Sequence, residues 1–145
     1  MKHFSLLLAS LAVVMSLAWP MAAGAASQVP GESVTLAVKS DTEHAKKGSD
    51  GKWHDAFLPG NFTARSGSKV TVSIKNYDPA VHTFTSSGLG LNVKIAAGSA
   101  TNPKVTTFTF TAPKPGSYTW MCMGNCDTWA MTHMGFMLGS VKVTA

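Results

Sequence analysis

Gly116-Ser117-Tyr118-Thr119-Trp120-Met121-Cys122, and after an intervening loop Met137-Leu138-Gly139-Ser140-Val141-Lys142-Val143, are the two segments whose pattern decides the fold. In the first, Tyr118, Trp120 and Cys122 fall on one side of an extended chain; in the second, Val141 and Val143 alternate with Ser140 and Lys142. A period of two marks strands buried on one face. The same period recurs upstream. Val34, Leu36 and Val38 carry it first, after which Phe57, the turn Pro59-Gly60-Asn61 and Phe62 open the main body. Val70, Val72 and Ile74 then alternate with Thr71, Ser73 and Lys75 until Asn76-Tyr77-Asp78-Pro79 supplies turn chemistry. His82-Thr83-Phe84-Thr85 is rich in β-formers, and Phe108 and Phe110 share a face in the run from Val105 to Thr111. No apolar stripe of period 3.6 persists over a helix-length window, which excludes a helical bundle and an alternating βαβ sheet. The pattern predicts an all-β fold, a Greek-key β-sandwich of about seven strands.

The 145 residues are 45% hydrophobic and 13% charged, enough for one compact domain with a short appendage and too few for a two-domain enzyme. Twelve Lys and Arg against seven Asp and Glu give a formal charge of +5, but apart from Lys46-Lys47 the cations are scattered singly, so no nucleic acid partner is expected. Residues 1–25 have the features of a secretory signal peptide: Lys2, an apolar stretch from Phe4 to Trp19, and the small-residue site Ala23-Gly24-Ala25. Export to the periplasm or the exterior follows, with no stable membrane span after cleavage. Residues 26–55 supply an N-terminal strand and a polar loop and residues 56–145 the main body, together one domain, 26–145, expected to be a monomer. His44 and His54 lie in the polar loop and are expected to be solvated, with His54 a candidate additional metal donor.

The strongest chemical signal lies near the C-terminus. Met121, Met123, Met131, Met134 and Met137 share one short window with Cys122, Cys126 and His133. Thioether, thiolate and imidazole are the donors soft copper prefers, whereas magnesium or calcium would want carboxylates, and Asp127 is the only one present there. In an oxidising compartment the two cysteines form either a disulfide or a metal site. Closing so short a loop yields little entropic stabilisation, and a disulfide accounts for none of the methionines around it. Some of these methionines belong to the core or to a partner-binding surface. Trp129 and Phe136 either shield a metal or anchor the loop.

Gly116-x-Tyr118-x-Trp120-x-Cys122 followed by Met137-x-Gly139-x-Val141-x-Val143 resembles the strand, ligand loop and strand of the cupredoxins. Asn76-Tyr77-Asp78 with His82-Thr83-Phe84 is similar to the segment holding that family's first histidine ligand. The resemblance covers roughly residues 55–145 and rests on order and context. The Cys122-x3-Cys126 spacing further resembles the binuclear Cu-A centre of cytochrome c oxidase subunit II and nitrous oxide reductase. In that centre two cysteine thiolates bridge two coppers, and two histidines and a methionine complete the set. Here the loop is longer, with six residues between Cys126 and His133 and three between His133 and Met137. The resemblance implies copper, one or two ions, held by His82, Cys122, His133 and Met137, with Cys126 joining in the binuclear case and Met134 or Met131 competing for the thioether position. It implies electron transfer with a redox partner protein. The competing reading is a periplasmic copper carrier or chaperone serving a copper-accepting oxidase, and a third is a disulfide-closed sandwich that binds a protein. No Ser-His-Asp constellation or paired carboxylates are visible, so an enzyme is not expected.

Overall fold

The computed structural model describes residues 30–124 and 126–145; the signal peptide expected at 1–25, and residues 26–29 of the expected domain, lie outside the described residues. Two sheets form the sandwich. In one, β1 (Glu32–Lys39) lies between β4 (Ala56–Leu58), antiparallel to it, and β6 (Lys69–Asn76), parallel to it, and β6 pairs antiparallel with β9 (Lys104–Thr111). The other runs β5 (Asn61–Arg65), β11 (Leu138–Thr144), β10 (Gly116–Met121), β7 (His82–Ser86) and β8 (Leu91–Ile95), with β5 and β11 parallel.

The alternation seen in the sequence is the burial pattern of these strands. Leu36, Val38, Val70, Val72 and Ile74 face inward from the first sheet, and Phe84, Ile95, Trp120, Val141 and Val143 from the second. At the centre the Trp120 ring stacks on Phe84 at 4.6 Å and meets Phe57 edge-on at 4.8 Å. Gly139, paired with Trp120 across β10 and β11, has no room for a side chain: a methyl there would strike the Gly60 carbonyl oxygen and sit 2.5 Å from the indole. The backbone must come this close for the indole to lie flat in the core.

The all-β sandwich is as expected, but it contains more strands. Leu91–Ile95 forms β8 just after Gly88 and Gly90, where the sequence pattern predicts no strand, and the polar segment 40–55 is structured. That segment carries a 3₁₀ turn, Asp41–Glu43, and a small hairpin of β2 (Lys46–Lys47) and β3 (Trp53–His54). It lacks apolar periodicity because it packs through side-chain hydrogen bonds and one aromatic stack rather than through an alternating face. Among the described residues no helix is long and apolar enough to cross a membrane.

Candidate metal centre

His82 is the first residue of β7, where the inward face of the strand leaves the aromatic core. Alternation places it on the same side as Phe84, and its side chain is fully buried. A buried imidazole needs partners for both nitrogens. Nε2 lies 2.8 Å from Asp78 Oδ2, and since the carboxylate only accepts, Nε2 is the donor of that bond. Nδ1 faces two sulfurs, 3.5 Å from Cys126 Sγ and 3.8 Å from Cys122 Sγ. Ligating histidines characteristically donate their second ring N–H to a carboxylate in this manner.

Asp78 is itself fixed by the turn after β6. Asn76 Oδ1 accepts the Asp78 N–H at 2.9 Å, Asn76 Nδ2 donates to the carbonyls of Ala80 and Ala96, and Asp78 Oδ1 accepts the Ala80 N–H at 3.1 Å. Turn, carboxylate and imidazole are therefore joined by one chain of hydrogen bonds. Asp78→Ala is expected to weaken copper binding about 10–100-fold while leaving the fold intact, since the Nε2 proton loses its acceptor and the ring its orientation. Competition against a copper chelator measures this, and unchanged affinity would deny Asp78 the role.

Cys122 directly follows β10. Its N–H donates to the Met137 carbonyl at 2.8 Å and its sulfur accepts the Thr83 N–H at 3.4 Å, so both neighbouring strands hold it. Cys126 joins it across the loop, and the two sulfurs are bonded as a disulfide. Three of the sequence-derived donors thus converge: the ligand atoms of His82, Cys122 and Cys126 lie within 4.8 Å of one another, all in buried residues. The set of one imidazole and two sulfurs fits a soft ion such as copper once the sulfurs are reduced.

The remaining donors are placed differently. Met137 is fully buried beside Cys122, its N–H bonded to the Ala130 carbonyl and its carbonyl to Cys122. His133 is outside the three-donor group: Nδ1 is 2.7 Å from the Trp129 carbonyl oxygen, and the ring stacks on the Trp129 indole at 3.5 Å. Met131 is partly buried against the core, whereas Met134 and Met123 are more than half exposed. Trp129 and Phe136 meet edge-to-face at 5.0 Å and anchor the loop.

The expectation for His54 is corrected. It is 5% exposed, not solvated, and neither ring nitrogen is free for a metal: Nδ1 is 2.7 Å from Asp127 Oδ2, and Nε2 is 3.1 Å from both Asp50 oxygens. Burial opposes the charge on this ring, but the hydrogen bonds to Asp127 and Asp50 outweigh it and raise its pKa above the ordinary 6.5. For Asp127, burial acts upward, yet the Ala130 N–H and His54 pull its pKa below 3.8; the Lys52 N–H and His54 lower that of Asp50. A raised histidine pKa adds stability below pH 6.5 that is lost as pH climbs through the raised value. Lowered carboxylate pKa values add stability above pH 3.8 that is lost as pH falls through them. The difference in melting temperature between the protein and its His54→Phe variant is therefore expected to be largest between those limits and to shrink on either side. A difference independent of pH would show that His54 is held uncharged.

The roles of Asp78, Asp127 and His54 as hydrogen-bond partners around the site escaped the sequence reading. Asp78 had a legible signal, standing four residues before His82 in a turn; the other two meet only in the folded chain.

Comparison with known proteins places this geometry in context. The family model described as a cupredoxin-like domain matches residues 7–132. A blue copper oxidase from Nitrosomonas europaea is 19% identical over 78% of this chain and 38% of its own, with a TM-score of 0.58. Dithionite-reduced auracyanin from the photosynthetic bacterium Roseiflexus castenholzii is 17% identical over 78% of this chain and 97% of its own, with a TM-score of 0.52. A chain of a heme-copper terminal oxidase dimer is 24% identical over 59% of this chain and 51% of its own, with a TM-score of 0.45. This chain therefore spans about half or less of the two oxidase chains, and at these identities the likeness is one of fold.

Proposed function

The chain belongs to the cupredoxin-like domain family, and on that premise we propose that it is an exported copper protein that carries electrons. The observation that carries the reading is the fully buried His82, its Nε2 held by Asp78 and its Nδ1 turned toward the sulfurs of Cys122 and Cys126. His133 and Met137, in the same loop, are the donors that would complete the set. Bound copper would supply a one-electron Cu(II)/Cu(I) couple. The protein's part is to exclude water with Phe57, Phe84 and Trp120 and to hold the donors on two rigid strands, so that little rearranges when an electron arrives. Placement of both sulfurs beside one imidazole favours a Cu-A-like centre, which Cys122 and Cys126, once reduced, would hold together with His82. Export rests on the leader at 1–25, and the partner is a redox protein. No catalytic step is assigned.

The experiment is copper addition to the reduced protein, followed by optical and electron paramagnetic resonance spectra. A purple product with one electron shared over two equivalent coppers, or a blue product with one copper, supports the reading; a colourless complex overturns it.

One observation favours the copper carrier as a second reading. With His133 engaged by Trp129, the assembled donors are two sulfurs and one nitrogen, a set suited to Cu(I). Cyclic voltammetry separates the two, because a fast reversible couple belongs to an electron carrier, and tight Cu(I) with labile Cu(II) belongs to a chaperone delivering copper to an oxidase.

A further inference from the structure

The hairpin Lys46–His54 stands some seventy positions before the ligand loop, yet it closes on that loop at two places. His54 stacks on Trp129 at 4.0 Å and bridges Asp50 to Asp127, the residue bonded directly to Cys126. Asp127 also organises the loop locally: Oδ1 accepts the N–H groups of Trp129 and Ala130 at 2.9 and 3.1 Å, and its carbonyl accepts that of Met131. At the second place Lys46 Nζ donates to the Gly135 carbonyl at 2.8 Å and stands 4.3 Å above the Phe136 ring. Gly48 makes the close approach possible, for a methyl there would lie 2.7 Å from Trp129 Cη2 and 2.8 Å from His54 Cδ2.

While the disulfide stands it ties Cys126 to Cys122; once it is reduced, the two cysteines are held by different means. Cys122 is fixed by Met137, just before β11, and by Thr83 of β7. Cys126 is tied through Asp127 to the hairpin. We infer that the hairpin Lys46–His54 is the positioning element of the ligand loop, and that the His54 bridge sets whether Cys126 stands beside His82. With the brace in place the site offers two sulfurs; with it broken, His82 and Cys122 remain together while Cys126 swings away. His54 is then a positioning residue that selects between a two-sulfur and a one-sulfur centre. This rests on the proposed copper site for its purpose, but the placement of Cys126 is measurable without copper.

The test is alkylation of the reduced, metal-free protein with iodoacetamide, each cysteine followed separately by mass spectrometry. His54→Ala is expected to speed modification of Cys126 by about tenfold, on the scale of losing one charge-assisted hydrogen bond, and to leave Cys122 nearly unchanged. Gly48→Ala, which pushes the hairpin off Trp129, and Asp50→Asn, which weakens the bridge from its far end, are expected to act in the same direction and keep the test decisive should His54→Ala fail to fold. Equal acceleration of both cysteines, or none, overturns the inference. A copper-loaded His54→Ala protein with a one-sulfur spectrum agrees with it, and an unaltered spectrum contradicts it. If Cys126 alone is released but no variant binds copper, the brace stands and the copper reading fails.

Discussion

Cys122→Ser is expected to abolish the visible colour of the copper-loaded protein and to weaken copper binding well beyond the ~10–100-fold that loss of an outer partner costs. The thiolate is both the strongest soft donor in the set and the origin of the charge-transfer colour, and a serine hydroxyl at the same position is a hard, protonated group. The site offers no substitute. Cys126 is held from the other side of the loop, and the exposed thioethers of Met123 and Met134 point into solvent. Cys126→Ser is the informative partner variant. A binuclear centre loses its shared-electron spectrum with either substitution, whereas a mononuclear centre survives the second. Isothermal titration with copper, together with the optical spectrum, reads both, and colour retained by Cys122→Ser would refute Cys122 as the ligand that gives the colour.

The second large effect is on stability. Trp120→Ala removes the fully buried ring that touches both Phe84 and Phe57, and is expected to cost about 3–5 kcal/mol through lost burial and an unfilled cavity. For a domain of this size that lowers the melting temperature by roughly 10 °C or more. Trp120→Phe is expected to cost far less. Among the described residues the buried indole N–H has no hydrogen-bond partner, so a phenyl ring gives up volume but sheds an unsatisfied donor, worth about 1–3 kcal/mol. Urea unfolding of metal-free protein measures both, and equal losses would show that the indole N–H is satisfied in solution. Because Trp120 and Cys122 share a face of one strand, the alanine variant is also expected to broaden the copper spectrum.

Alternation at Leu36 and Val38, at Val70, Val72 and Ile74, and at Trp120 and Cys122 made the sandwich legible, because a strand with one face in a core must repeat its chemistry every second residue. β8 was obscured by the glycines before it. The hairpin at 46–54 was obscured by polarity, since its burial is achieved through ion pairs and a stack, which leave no periodic trace. Chemistry of the site was visible as a crowd of soft donors, but crowding in sequence did not specify which of them meet. His133 lies closer to Cys126 along the chain than His82 does, yet it is His82, forty residues before Cys122, whose ring faces the sulfurs.

The sequence by itself determined the long alternating strands, their inward faces, and a donor set that suits copper, all properties of local spacing and side-chain chemistry. Only the tertiary structure decided that His82, Cys122 and Cys126 converge, that Asp78 orients the imidazole, and that His54 is a clamp and not a surface residue. Those facts depend on contacts between segments far apart in the chain. The pairing of β10 with β7 and the closure of a polar hairpin over a long loop are set by global packing, and no short window of residues encodes them.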